Sequence, residues 1–226
     1  MRRAALVVRR RALLGVLLPA VAGAAPQLYD TGPSQDLALV RFVNAGSNAL
    51  TVQSGGPAKA SVVVQPSAPI TDYQPARSDA PVTGHWKSGQ QQMAITLRVP
   101  SGGSASAVAW QGANGEIAGT SFIEPPPTFD PLRASLAFYN ADARCTAAGL
   151  SAASGNAAIF EKQAALASAR RAVNPVKLAV HATCNGQPVE GTVDLGSLQA
   201  GQRYSVFLVP AGKGSRLMGL QDRIAR

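Results

Sequence analysis

Ala38-Leu-Val-Arg-Phe-Val-Asn-Ala45 and Ala134-Ser-Leu-Ala-Phe-Tyr-Asn-Ala141 are two versions of one strand. Each is an apolar run that carries an aromatic residue and closes on Asn-Ala, the pattern of a β-strand with at least one buried face. Between them lies Ile123-Glu-Pro-Pro-Pro-Thr-Phe-Asp-Pro131, with four prolines in nine residues. Proline has no N–H and fixes φ, so this tract continues neither a strand ladder nor a helix. The chain therefore reads as two related domains, Pro26–Phe122 and Leu132–Arg226, joined by a short, stiff linker at Ile123–Pro131.

The sequence around both copies is β in character. In the first half, Leu37–Asn44, Ala49–Gln53, Ala60–Val64, Val82–Trp86, Met93–Val99, Ser106–Gln111 and Glu116–Phe122 are short runs bounded by Gly, Pro, Asn and Ser. Three consecutive valines at 62–64 predict a strand buried on both faces. Pro66–Pro81 reads as loop, Pro100–Ser104 as the turn of a hairpin, and Asn114-Gly115 as the strongest short turn signal. In the second half the runs are Arg133–Asn140, Arg144–Ala148, Ala157–Phe160, Val176–Thr183, Val189–Leu195, Tyr204–Val209 and Arg216–Leu220, with a hairpin turn at Asn185-Gly186 and a loop at Ser151–Asn156. Glu161–Ala172 has helical composition, with Pro175 stopping any extension. Gln221–Arg226 reads as a frayed tail. Strands this short and evenly spaced predict an all-β fold of two tandem small β-sandwiches, immunoglobulin-like or carbohydrate-module-like.

The N-terminus is a leader. Arg2, Arg3, Arg9, Arg10 and Arg11 precede the apolar Ala12–Val21, and Ala22-Gly23-Ala24 is a small-x-small cleavage signal, so residues 1–24 read as a signal peptide. The apolar run is shorter than the roughly 20 residues that span a bilayer. Arg10-Arg11-Ala-Leu-Leu14 also fits a twin-arginine signal, and both export routes lead to the periplasm. Five of the 21 basic residues belong to this leader, leaving 16 against 12 acidic ones, so the +9 of the whole chain falls to +4. The remaining cations are scattered and form no clustered stripe, which argues against a nucleic-acid partner. The modest positive balance suits an acidic polymer or an acidic protein surface. The two cysteines, Cys145 and Cys184, both lie in the second half, and in an oxidising compartment such a pair forms a disulfide.

The sequence argues for binding more than for catalysis. No Gly-x-Ser-x-Gly elbow or Gly-Asp-Ser segment accompanies the two histidines, His85 and His181, which fall in different halves. Asp30-Thr31-Gly32 has no second copy, as an aspartic-protease pair requires. Nothing fixes the spacing of Glu124 and Asp130 for glycoside hydrolysis. No metal-ligand cluster or cofactor motif is present, and neither a metal nor a cofactor is expected. A carbohydrate site is the stronger candidate: Trp86 with His85 and Lys87 beside it, together with Tyr73 and Trp110, offers flat rings for sugar faces and polar groups for hydroxyls. Trp86, between polar neighbours, is the expected surface residue, and Trp110, following an apolar strand, is the expected core residue. In the second half Arg170, Arg171, Asn174 and Lys177 form a basic, polar group suited to an acidic partner. A structural turn into the following strand is the other reading of Asn174-Pro175.

Several segments carry a resemblance. Leu28-Tyr-Asp-Thr-Gly-Pro33 followed by Leu39–Ala45, then Leu136-Ala-Phe-Tyr-Asn140, Arg171-Ala-Val-Asn-Pro-Val-Lys-Leu-Ala-Val180 and Leu198–Leu208 together resemble the AlgF family of alginate O-acetylation proteins. Asn-Pro-Val-Lys is the most specific of these segments. The chain departs from the family at Thr146–Asn156, which is alanine-rich and follows Cys145, so the polymer served is alginate or a relative such as cellulose. The resemblance implies a periplasmic accessory protein of exopolysaccharide O-acetylation. Its implied partners are SGNH-type O-acetyltransferase proteins and a membrane-bound acetyl carrier, with acidic or acetylated polysaccharide as a further ligand. A secreted carbohydrate-binding module and an acetyl-transfer enzyme using a serine with His85 or His181 are the alternatives.

Overall fold

The computed structural model describes residues 37–56, 59–112 and 114–225. Residues 1–24, read above as a signal peptide, the Leu28–Pro33 segment and the Asp30-Thr31-Gly32 triplet lie outside these residues. The described chain is all β, with no helix.

The N-terminal half supplies β1 (Leu37–Asn44), β2 (Leu50–Ser54), β3 (Ser61–Val64), β4 (Gln74–Arg77), β5 (Val82–Ser88), β6 (Gln91–Leu97), β7 (Ser104–Gln111) and β8 (Ile117–Glu124). These build two sheets of order β4-β1-β7-β8 and β3-β2-β5-β6. The C-terminal half supplies β9 (Ala134–Asn140), β10 (Ala148–Ala152), β11 (Ala158–Gln163), β12 (Ser168–Val173), β13 (Lys177–Cys184), β14 (Gln187–Pro188), β15 (Val193–Ser197), β16 (Arg203–Ala211) and β17 (Gly214–Gln221). Its sheets are β12-β9-β16-β17 and β11-β10-β13, the latter extended by β14 and β15 pairing with β13.

The strand orders match, except that two short strands, β14 and β15, stand beside β13 where the first half has β6 beside β5. In both halves the first strand pairs in parallel with the next-to-last, β1 with β7 and β9 with β16, while the other named pairs are antiparallel. The repeated sequence is therefore a repeated topology. Its shared asparagine explains itself: Asn44 and Asn140 are both fully buried at the end of the first strand. Asn44 Nδ2 donates to the carbonyls of Asn48 and Val64, both at 2.8 Å. Asn140 Nδ2 donates to those of Cys145 at 2.7 Å and Ala164 at 3.0 Å. Each amide ties together carbonyls at the strand ends and in the loops that meet at the end of the first strand.

Each half is a sandwich with its own core. Val40, Leu50, Val52, Trp86, Leu97 and Ala107 fill the first, and Leu136, Phe138, Leu150, Val180, Val206 and Leu208 the second. Cys145 and Cys184 are joined by a disulfide, with Cα atoms 5.3 Å apart, which links the loop before β10 to the end of β13. That bond fits an oxidising, extracytoplasmic environment. A third apolar cluster lies between the halves: the outer face of the β1/β7 sheet (Val43, Val108, Phe122) packs on the outer face of the β9/β16 sheet (Tyr139, Phe207, Val209).

The structure corrects several sequence expectations. Glu161–Ala172 is not a helix but the end of β11, a turn and most of β12. Lys162 and Leu166 take positive φ of 51° and 55°, and pairing of β12 along β9 overrides the local helix preference. The expected strand Arg144–Ala148 is mostly loop, and β10 instead runs into the stretch read as loop. The 93–99 and 106–111 runs are not a hairpin: β6 pairs with β5 and β7 with β1, so the chain changes sheets between them. Val62 and Val63 are exposed on the edge strand β3, not buried on both faces. A short edge strand, β4, lies within the expected Pro66–Pro81 loop. The tail does not fray. The backbone of Tyr73 bonds to Arg223 and Ala225, each at 2.8 Å, and this holds Asp222 inside the molecule.

Candidate functional site

The seam between the sandwiches is built by strand alternation. Successive side chains of β1 point to opposite faces, so Val40 and Phe42 enter the N-terminal core while Arg41 and Val43 turn toward the other sandwich. Ser104, Ser106, Val108 and Trp110 of β7 follow the same rule, as do Ser135, Ala137 and Tyr139 of β9 and Ser205, Phe207 and Val209 of β16. One end of the seam is polar, the middle is apolar, and Trp110 stands at the other end.

Arg41 is the centre of the polar end, with no exposed surface. Its guanidinium donates to Ser106 Oγ (2.8 Å), Asp222 Oδ1 (2.7 Å), Ser205 Oγ (2.8 Å) and the Tyr139 hydroxyl (3.3 Å). It also sits over the ring of Tyr73, 4.4 Å from the centroid. A buried charge is tolerated at such density of partners. Burial opposes the charged form, but Asp222 and the surrounding tyrosines hold the Arg41 pKa above its ordinary value. Beside it Arg170 makes a two-pronged contact with Glu124, at 3.0 and 3.2 Å, and the Tyr139 hydroxyl donates to the same carboxylate at 2.5 Å. Burial pushes Glu124 up, yet the Arg170 hydrogen bond and charge, the Tyr139 hydroxyl and Arg203 keep its pKa below the usual carboxylate value. Burial drives the Tyr139 hydroxyl well above the phenol range, so it stays protonated as a donor. The strong contacts of Arg41 and Arg170 join one protein group to another, as in a structural network, while the Tyr73 hydroxyl, Arg203 Nε and Nη2 and Asp222 Oδ2 are buried beside them without a hydrogen-bond partner among the described residues.

The structure regroups the residues singled out from sequence. Trp86 is a correction: it is 1% exposed, with Phe42 edge-on at a centroid distance of 5.8 Å. Its polar neighbours His85 and Lys87 are poor guides to its exposure, because on a strand adjacent residues face opposite ways. His85 is exposed and Lys87 half-buried on the far face of the sheet. Tyr73 is 2% exposed beneath Arg41, so its ring is closed to a sugar too. Trp110 reverses expectation in the other direction. It is half-buried, at the end of β7, and lines an open groove.

The basic group of the second half is divided. Arg170 faces the seam and is committed to Glu124, while Arg171, next along β12, turns to the opposite face, over the Phe160 ring and bonded to the Ile159 carbonyl. Asn174 is exposed on the connection from β12 to β13, and Lys177 is exposed at the start of β13. His85 on β5 and His181 on β13 belong to the outer sheets of different sandwiches, so they share no site. Among the described residues no group of His, Cys, Asp and Glu is placed to hold a metal ion.

Sequence reading passed over Arg41 and Asp222. A charged residue within Leu-Val-Arg-Phe-Val was the available signal, since arginine in an apolar strand is buried only with partners. Ala137 occupies the same place in the second copy, which marks Arg41 as particular to the seam. The tail offered no such signal for Asp222.

No protein-family model matches this chain, and no curated protein matches it. Among solved structures it is similar to the C-terminal domain of AlgF from P. aeruginosa, at 17% identity over 40% of this chain and 98% of that one, with a TM-score of 0.34. It is also similar to two proposed cell-adhesion proteins, from Bacteroides uniformis (9% identity, TM-score 0.29) and Bacteroides ovatus (10% identity, TM-score 0.25). Each alignment covers 84% of this chain, and 99% and 98% of the respective adhesion protein. All three likenesses are distant.

Proposed function

We propose that this protein is a non-catalytic accessory component of exopolysaccharide O-acetylation, exported to the periplasm, where it docks acetyltransferase proteins. The observation that carries the reading is the position of the most family-like stretch. Asn174-Pro-Val-Lys177 is the exposed stretch that leads from β12 into β13, and Val176 is 53% exposed, an apolar side chain offered to solvent beside Lys177 and near Asn174. A conspicuous apolar residue in a polar rim is the composition of a protein contact. The two sandwiches, packed through a common apolar cluster, give such a contact a firm base.

Deleting the gene tests the pathway: the polymer should still be made, with its ester-linked acetate lost. Unchanged acetate content overturns the reading. Co-purification with an SGNH-type acetyltransferase of the same cell tests the docking, and Val176→Asp with Lys177→Glu should weaken it without lowering the melting temperature.

A further inference from the structure

At the end of the seam opposite Arg41, the two sandwiches enclose an open groove of about 1020 Å³. The N-terminal sandwich contributes Gly46, Trp110 and Gln111, and the C-terminal sandwich contributes Arg144, Lys213 and Arg216. Trp110 packs with the apolar seam cluster and also lines the groove, so its indole is braced from behind.

The charge balance of the walls is one-sided. Three cations line the groove, and Asp142 is the one carboxylate among its lining residues. The Asp142 side chain is 2% exposed and is occupied by Arg144 at 2.8 Å and by the Ser215 hydroxyl at 2.8 Å. Burial raises its pKa, but the Arg144 and Ser215 hydrogen bonds outweigh that and keep it ionised. Arg144 and Arg216 are also held in place, Arg144 by the Gly212 carbonyl at 3.0 Å and Arg216 by the Ala45 carbonyl at 3.2 Å across the seam. Lys213 stands exposed at the tip of the β16/β17 hairpin. The Gln111 amide is itself held, its oxygen by Asn48 and its nitrogen by Ser88. A braced indole and fixed cations together match a pyranose ring that carries a carboxylate, the ring face stacking and the anion meeting the cations.

We propose that this groove binds a strand of acidic polysaccharide, with Trp110 stacked on a sugar face and Lys213 and Arg216 meeting the carboxylates. This rests on the reading of the protein as a component of exopolysaccharide modification and specifies the ligand class and its place. An open groove crossing from one sandwich to the other admits an internal stretch of polymer, not only a chain end.

The test uses the purified mature protein with its disulfide intact, titrated by calorimetry and tryptophan fluorescence. The probes are a hexameric oligouronate, cellohexaose and poly-glutamate. Trp86 is buried, so a fluorescence change on binding reports Trp110. The oligouronate should bind and perturb the fluorescence, and Trp110→Ala should weaken binding about tenfold, with Trp110→Tyr recovering most of it. Lys213→Glu, at an exposed hairpin tip, should weaken binding several-fold and reduce its salt dependence. The proposal is overturned by no oligouronate binding, by equal binding of cellohexaose, by tighter binding of poly-glutamate, or by full affinity in both variants. The two readings fail separately. If gene deletion removes acetylation and the Trp110→Ala/Lys213→Glu protein restores it with oligouronate affinity unchanged, the groove falls and the accessory role stands. If deletion leaves acetylation intact, the accessory role falls whatever the groove binds.

Discussion

At one end of the seam Arg41 is wholly enclosed and donates to four side chains, whereas at the other Arg144, Lys213 and Arg216 line an open groove around a half-buried tryptophan. The same residue type meets opposite conditions. At the closed end Arg41 and Arg170 have carboxylate partners from the chain itself, Asp222 and Glu124, each with little exposed surface, and Arg203 lies 4.0 Å from Asp222. At the open end the one lining carboxylate is already engaged, and positive charge remains facing solvent. Closure marks the first as a structural clamp, and the unbalanced second as a place for an outside anion.

Breaking the clamp should have the largest effect. Arg41→Ala leaves Asp222 buried without its strongest partner and should cost about 3–5 kcal/mol, the usual penalty for halving a buried ion pair. Chemical denaturation of the disulfide-intact protein measures it. Replacing both partners with leucine should recover part of that loss, because two apolar side chains carry no desolvation cost. Loss of less than 1 kcal/mol for Arg41→Ala would show that the network is open to water. Next in size come the repeated asparagines. Asn44→Ala and Asn140→Ala each remove the hydrogen bonds that tie carbonyls together at the end of the first strand and should cost about 1–3 kcal/mol. Asn140 serves more carbonyls than Asn44, so its loss should be the greater.

How far the seam could be read from sequence follows from the same physics. The fold class was legible because strand period and turn residues are local: Leu37–Asn44 was placed at its observed bounds, and the Asn114-Gly115 and Asn185-Gly186 turns lie where their residue types put them. Sheet membership was not, since β6 and β7 are adjacent in sequence yet pair in different sheets. The candidate site was legible only in its residue types. Trp86 and Trp110 exchange roles because exposure on a strand depends on which face meets another layer: Trp86 faces the other sheet of its own sandwich, whereas Trp110 faces the seam with β9/β16 from the other half of the chain. The Arg41–Asp222 pair is separated by 181 residues and had no sequence signal on the acidic side.

Acid should act on the closed end before the fold as a whole. Glu124 has a folded pKa below its ordinary 4.5. Its ion pair therefore contributes stability that is complete above about pH 4.5 and declines as pH falls through the lower folded value. Denaturation midpoints should be flat from neutral pH to that point and then drop. Glu124→Gln should lower the neutral-pH midpoint and flatten the acid limb, with a smaller total cost than Arg41→Ala because Arg170 keeps 16% of its side chain exposed and can be hydrated. An unchanged acid limb in Glu124→Gln would assign the acid sensitivity to another carboxylate, Asp142 being the next with a lowered pKa.

The open end predicts the smallest effect on stability. Lys213 is exposed at a hairpin tip and makes no ion pair among the described residues, so Lys213→Glu should shift the unfolding free energy by no more than about 0.5 kcal/mol in either direction. Thermal unfolding and oligouronate titration on the same preparation give the contrast directly. A clamp residue changes the first measurement strongly, and a groove residue changes the second while leaving the first alone. If Lys213→Glu lowers stability as much as the asparagine substitutions do, the open end is a second clamp and the distinction between the two ends is lost.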